Sequence, residues 1–205
     1  PFLGENAIRN DNGKPYFQVY ETFNKAGLKV VVLGFTNPNI KAWLTESLWS
    51  GMTFADLLPL VQKDVDEVIA KEKPQVVIVS VHSGTGSGDG SVLESQGLDL
   101  LNSLKGVDFL ICSHDHRPTC IQNGDTWLIN SGSHSRNLGH GTIKVTVKDG
   151  KVVSKELSAG LIPIKAKNVD TQMKAYFQKD YDAVKAFTVR EVGELKADLI
   201  TREAY

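Results

Sequence analysis

Two histidines one residue apart, His114 and His116, follow an apolar run, Val107-Asp108-Phe109-Leu110-Ile111-Cys112. A third, His82, ends an earlier apolar run from Val76 to Val81. Imidazole nitrogen is a usual ligand for zinc, manganese or iron. In an extended segment, side chains two residues apart point the same way. Both imidazoles of Ser113-His114-Asp115-His116-Arg117 are therefore expected to face one site, with Asp115 facing elsewhere. A lone histidine is usually structural or simply exposed. Three at strand ends, two of them as His-x-His, point instead to metal ligation. His134, in a Gly/Ser loop, could come near the same site, whereas His140 reads as a loop residue.

The elements that must position these residues can be taken along the chain. Residues 1–15 read as a strand end plus loop, with turn chemistry at Asp11-Asn12-Gly13. Tyr16 to Thr22 alternates aromatic and polar residues and turns through Asn24-Lys25-Ala26-Gly27. The run from Leu28 to Phe35 then reads as the buried half of a hairpin. Trp43, Leu44, Leu48 and Trp49 lie in a segment without a clear period. Packing under a loop is the expected role for these tryptophans, and contact with a partner or ligand the alternative.

Thr53 with Asp56 resembles a capping box, and Pro59 fits a first helical turn. Val61, Val65, Val68 and Ile69 keep helical spacing, so a helix is expected over 57–71, ended by Lys73-Pro74. Gln75 to Val81 is the next buried strand. A flexible glycine loop, 84–91, follows His82. A second helix is expected over 92–104, and then the strand into His114. Strand, helix, strand–His, helix, strand–His-x-His is the alternation of a sheet covered by helices. Both histidine motifs fall at carboxyl ends of strands, where open α/β sheets place their ligand sites.

Thr126 to Asn130 reads as a short strand and 131–139 as a loop. Gly141 to Val147 and Lys151 to Leu157 read as a hairpin turning at Asp149-Gly150. A helix follows from Asp170, with Met173, Tyr176, Phe177, Tyr181 and Val184 at helical spacing. Packing on the domain or linkage to a neighbour is its expected role. Glu191 to Leu195 is strand-like.

The chain has 205 residues, 41% hydrophobic and 23% charged, with a formal net charge of -1. That is the profile of an ordinary globular protein of one large domain, or one domain with an extension. Nothing in the charge balance suggests a nucleic-acid polymer surface or a membrane face. No apolar run reaches the roughly 18 residues of a membrane span. The chain opens at Pro1 with neither an initiator Met nor a signal peptide, and reads as a processed or trimmed product. For Cys112 and Cys120, a buried thiol in each of two strands leads, with a disulfide and then metal ligation as alternatives. Two cysteines do not decide the redox compartment.

Taken together, His82-Ser83-Gly84, then Ser113-His114-Asp115-His116, then Asn130-Ser131-Gly132-Ser133 with Leu138-Gly139 resemble the second half of a calcineurin-like metallophosphoesterase domain. More narrowly, they resemble the 5'-nucleotidase / 2',3'-cyclic-nucleotide phosphodiesterase branch. The resemblance implies an α/β fold, part of a two-sheet α/β/β/α sandwich. Residues 1–165 would be an incomplete metallophosphoesterase domain, 166–190 a linker helix and 191–205 the start of a second, substrate-binding domain. It implies that His82 and His114 bind one divalent metal ion (zinc, manganese or iron) and His116 a second. It also implies hydrolysis of nucleotides, with the cyclic phosphodiesterase / 3'-nucleotidase activity placed ahead of 5'-nucleotidase, and a periplasmic or extracellular location.

The family's Asp-x-His, Gly-Asp-x-x-Asp and Gly-Asn-His motifs do not occur in this sequence, and Ser113 stands where the family usually has glycine. No catalytic residue is therefore assigned within this chain. It reads as an internal fragment, inactive by itself, with at most a partial metal site. A bared sheet edge would favour self-association or pairing with the N-terminal part. The alternative from a different class is a non-catalytic metal-binding or interaction module on the same scaffold.

Overall fold

The computed structural model describes residues 1–149, 151–165 and 169–197. Two compact units divide the chain, Pro1–Ile164 and Lys165–Tyr205. The first holds β1 (Ala7–Arg9), β2 (Tyr20–Lys25), β3 (Leu28–Phe35), α1 (Ile40–Trp43), β4 (Met52–Phe54), α2 (Leu57–Glu72) and β5 (Val76–Val81). It continues with α3 (Gly97–Ser103), β6 (Phe109–Cys112), β7 (Thr119–Asn123), β8 (Thr126–Asn130), β9 (Asn137–Lys148) and β10 (Lys151–Pro163). The second unit holds α4 (Thr171–Thr188).

Six strands form one sheet in the order β2-β3-β5-β6-β8-β7. The inner four are parallel and the two edge strands antiparallel. Parallel neighbours need a crossover. Here α2 joins β3 to β5, and α3 joins β5 to β6. Alternate residues of the inner strands point to one face, where Val31, Leu33, Val77, Val79, Leu110 and Leu128 meet Leu57, Val61 and Val65 of α2 and Leu100 of α3. Burial of these branched side chains is the main stabilising term of the unit. On the opposite face Val30, Val32, Ile78 and Ile111 are only half buried. There β9 runs close to Phe109. A Cβ on Gly141 would come within 2.6 Å of that ring, so the strand depends on glycine at this position.

Several local expectations hold for physical reasons the sequence carries. The β2–β3 hairpin turns at Ala26 and Gly27, with φ of 51° and 77°. Two positive φ values are what a two-residue hairpin needs to match strand twist. Lys73 closes α2 in the left-handed conformation just before Pro74. Asp170 caps α4, accepting from the backbone N–H groups of Gln172 and Met173.

Other expectations are corrected. Thr53 is not part of a capping box. It lies in β4 opposite Ile8, and its hydroxyl bonds Asn10, so strand pairing has taken it from the helix. Asp56 is the N-cap of α2 but makes no side-chain capping bond. The second helix is not 92–104. It starts at Gly97, because the chain before it is tied to the loop after β5. Gly84 N–H donates to the Glu94 carbonyl, and Gly97 N–H donates to the Gly84 carbonyl. The β9–β10 hairpin is longer at both ends than its apolar alternation suggests, and it contains an irregularity between Val152 and Ser154.

Cys112 is buried in β6 and Cys120 half-buried in β7, and both thiols are free. Burial pushes the Cys112 thiol up to about 12. Residues 191–195 form no strand, and 198–203 lie outside the described residues. In the second unit, Met173, Tyr176, Phe177 and Tyr181 of α4 are exposed.

One acidic side chain ties the strand exits together. Asp115, beyond β6, accepts from Thr85 N–H at 2.6 Å and from the Asn130 amide at 2.8 Å. It thereby joins the exits of β5, β6 and β8. Elsewhere Glu5 neighbours Asp64, which is on the buried side of α2 and only 2% exposed, and one buried carboxyl oxygen of each has no hydrogen-bond partner among the described residues. Burial first, then the neighbouring Asp64, pushes the Glu5 carboxyl up to about 8. Lys63 reaches Asp64 at 3.5 Å.

Two outcomes are expected. A carboxyl raised in the fold binds its proton more tightly folded than unfolded, so its stabilisation is complete below the ordinary value of 4.5 and is lost as pH rises toward 8. Denaturant melts should show stability falling across that window, and Glu5→Gln should flatten the fall; parallel pH profiles for the two proteins would exclude the contact as its source. Asp115→Ala removes the acceptor of three N–H groups, those of Thr85, Asn130 and Arg117, and should cost about 1–3 kcal/mol in urea unfolding.

Candidate functional site

The parallel strands deliver four loops to one edge of the sheet. The loop after β3 carries Asn37, Asn39 and α1 with Trp43. The loop after β5 carries His82, the loop after β6 His114 and His116, and the loop after β8 His134. His82 is anchored by its own N–H, which donates to the Phe35 carbonyl at 3.0 Å, and Ser113 N–H donates to the Ser83 carbonyl at 3.0 Å.

β6 ends at Cys112, so the His-x-His segment is not extended. His114 and His116 have φ of 78° and 58°, both left-handed. The expected two-residue period therefore does not operate, and the two imidazoles go to different neighbours. His114 Nδ1 lies 3.3 Å from His82 Nε2. The ring of His116 lies 6.2 Å from that of His134. Non-glycine residues rarely take positive φ, and two at one site mark backbone held by its surroundings. The hold comes from Asp115, whose carboxylate also accepts from Arg117 N–H.

Partial burial of the His82 ring, followed by the nearby His114 and His116, pushes its pKa below the ordinary value. That favours the neutral ring, the form that binds metal. Ser113 Oγ is 3.0 Å from His82 Nδ1. Two nitrogens held about 2.0–2.1 Å from one tetrahedral zinc are about 3.3 Å apart, the spacing of this histidine pair. The pair therefore suits two adjacent positions on one ion. Among the described residues, no group of three or more His, Cys, Asp or Glu side chains comes together at metal-binding spacing. His82 and His114 are brought together, and His116 is not the third member of their cluster. His134 bonds Ser133 through Nδ1 at 2.8 Å, and His140 lies in β9 against Gly160.

Two further residues reach the site, Trp43, for which ligand contact was only the alternative role, and Glu94, which the sequence did not single out. Trp43 is not simply packed under a loop. Its indole stacks on the His114 ring, with centroids 4.7 Å apart and planes inclined by 20°. Glu94, expected inside a helix, lies in the connecting loop. Its Oε2 accepts from Trp43 Nε1 at 3.2 Å and from Asn39 Nδ2 at 3.4 Å, and it faces His114 Nε2 at 3.7 Å. The glycine loop between His82 and Glu94 is folded back on this segment. A Cβ on Gly86, with φ of 72°, would come within 1.8 Å of the Ser95 carbonyl oxygen.

No family model matches the chain. It is 27% identical over 125 residues to a 5'-nucleotidase of Vibrio cholerae, a match covering 60% of this chain and 23% of that protein. It is 25% identical over 125 residues to a 2',3'-cyclic-nucleotide 2'-phosphodiesterase/3'-nucleotidase of Yersinia enterocolitica, covering 57% of this chain and 19% of that protein. The matches thus span less than a quarter of these relatives' length. A putative 5'-nucleotidase from Staphylococcus aureus superposes with a TM-score of 0.72 at 20% identity, over 89% of this chain and 37% of that one. The calcineurin-like phosphoesterase YfkN from Bacillus subtilis superposes with a TM-score of 0.69 at 20% identity, over 93% of this chain and 64% of that one. The chain has the fold of the calcineurin-like phosphoesterases, and its sequence is similar to nucleotidases and cyclic-nucleotide phosphodiesterases.

Proposed function

We propose that this chain is the histidine-bearing part of a metal-dependent phosphoesterase that hydrolyses nucleotides. The observation that carries the reading is the 3.3 Å spacing of His82 Nε2 and His114 Nδ1 at the carboxyl ends of two adjacent parallel strands. In this reading His82 and His114 hold one divalent ion, zinc, manganese or iron, and His116 contributes to a second. Bound metal of this kind polarises a phosphate and lowers the pKa of a bound water. The chain's own residues supply neutral imidazole and hold it in place. Ser113 bonds the outer nitrogen of His82, and Trp43 covers one face of His114.

The sequence contains none of the Asp-x-His, Gly-Asp-x-x-Asp and Gly-Asn-His motifs. The carboxylate that would bridge two ions therefore has no counterpart here. For that reason the 205-residue chain by itself is proposed to bind metal without turning over substrate. A 2',3'-cyclic nucleotide, a 3'-nucleotide or a 5'-nucleotide is the proposed substrate class of the complete site. The periplasm or the cell exterior is its proposed location. Among the described residues, no helix is long and apolar enough to cross a membrane. The same absence of motifs favours one other reading, a metal-binding module without catalysis.

Zinc titration against a chromophoric chelator tests the ligand assignment. The wild-type chain should take up zinc, His82→Ala and His114→Ala should each abolish that uptake, and His116→Ala should reduce metal binding by a different amount. Unchanged uptake in both His82→Ala and His114→Ala would remove the assignment. The chain alone should show no hydrolysis of bis(p-nitrophenyl) phosphate with added zinc or manganese. Robust turnover by material of verified mass would show that the absent motifs are not needed.

A further inference from the structure

We infer that Glu94 and Ser113, with Trp43, form an orienting shell that fixes the tautomers of the histidine pair. The two side chains act on the nitrogens that face away from the pair, and the inference rests on the metal reading proposed above.

Each neutral imidazole has one N–H and one lone pair, and the group at one nitrogen decides what the other offers. At His82 the outer nitrogen is Nδ1, and the Ser113 hydroxyl stands 3.0 Å from it. That hydroxyl can donate or accept, so the group facing Nε2 decides the tautomer of His82. At His114 the outer nitrogen is Nε2, and Glu94 Oε2 stands 3.7 Å from it. That distance exceeds a hydrogen bond, so the contact is electrostatic. Its direction is still clear. A carboxylate repels an imidazole lone pair and attracts an N–H, so it favours the Nε2–H tautomer and leaves the Nδ1 lone pair facing His82. In the metal-free chain His82 Nε2–H then donates to His114 Nδ1 at 3.3 Å, and His82 Nδ1 accepts from the Ser113 hydroxyl. When a cation takes the place of that proton, the His82 proton sits on Nδ1, where the Ser113 oxygen accepts it, and both inner nitrogens face the ion.

Glu94 is held firmly enough for this role. Its carbonyl accepts from the Asn37 amide at 2.9 Å, Gly84 N–H at 3.0 Å and the Ser83 hydroxyl at 3.3 Å. Its carboxylate accepts from Trp43 and Asn39. Trp43 in turn lies flat on His114, which restricts rotation of that ring. One acidic residue therefore ties together the loops after β3, β5 and β6. Partners in this position characteristically orient metal-binding histidines and raise their basicity. Glu94 touches neither substrate nor metal in this scheme. It is a positioning residue, as are Ser113 and Trp43.

Long-range 1H–15N spectra of the metal-free chain, labelled at histidine, read the tautomers directly. In the metal-free chain His114 and His82 should both carry their protons on Nε2, and zinc should move that of His82 to Nδ1. Glu94→Ala should mix the His114 tautomers and weaken zinc binding about 10- to 100-fold. Glu94→Gln keeps an oxygen for Trp43 and Asn39 but loses the charge, so it should unfold like the wild type and still mix the His114 tautomers, which separates orientation from loss of folding. Ser113→Ala should leave both metal-free tautomers unchanged and weaken zinc binding, because the Nδ1–H of zinc-bound His82 then lacks its acceptor. A wild-type His114 protonated on Nδ1 would overturn the inference. So would a Glu94→Ala variant with unaltered tautomers and zinc affinity, when His82→Ala and His114→Ala still abolish uptake. Zinc uptake that survives both histidine variants would instead sink the metal reading, and the orienting role with it.

Discussion

Parallel alignment of β3, β5, β6 and β8 is the constraint on which the rest of the structure depends. Parallel neighbours all leave the sheet at the same end, so their exits gather on one edge. That alone brings His82 and His114, which are 32 residues apart in the sequence, to within one atom-pair contact. The alignment is maintained by the buried face. Leu33, Val79, Leu110 and Leu128 lie side by side across four strands, and a one-residue slip in any of them would turn its apolar set outward.

The histidine edge is then sharpened by polar residues rather than by packing. Asp115 joins the exits of β5, β6 and β8, and Glu94 joins those of β3, β5 and β6. Both carboxylates sit one step behind the imidazoles, and neither points between them. The site thus has imidazole ligands at its centre and acidic groups at its back. This suits a ligand pair waiting for a cation. It does not by itself suit the complete two-ion chemistry, which needs an additional bridging acid.

Much of this was legible from the amino-acid pattern. The apolar runs at 28–35, 76–81 and 107–112, separated by helical spacing, specified the parallel core. The placement of histidines just after two of those runs specified the edge. What escaped was non-local or conformational. Trp43 lies 51 residues from Glu94, and only the folded chain brings its indole to that carboxylate. The left-handed backbone at His114 and His116 has no glycine to announce it, so an extended period-two reading did not anticipate that the two imidazoles turn to different neighbours. The start of α3 was misplaced because long-range bonds from the β5 loop occupy the segment before it, and residue spacing carries no record of them. Ser113 looked like a departure from a family pattern until its hydroxyl was seen against His82.

The central claim is that His82 and His114 form two adjacent positions on one metal ion. Anomalous diffraction at the zinc edge from crystals of the chain grown with zinc tests it most directly. The account predicts a peak about 2.0–2.1 Å from both His82 Nε2 and His114 Nδ1. A map with no peak between those nitrogens, or with zinc on His116 alone, would contradict it.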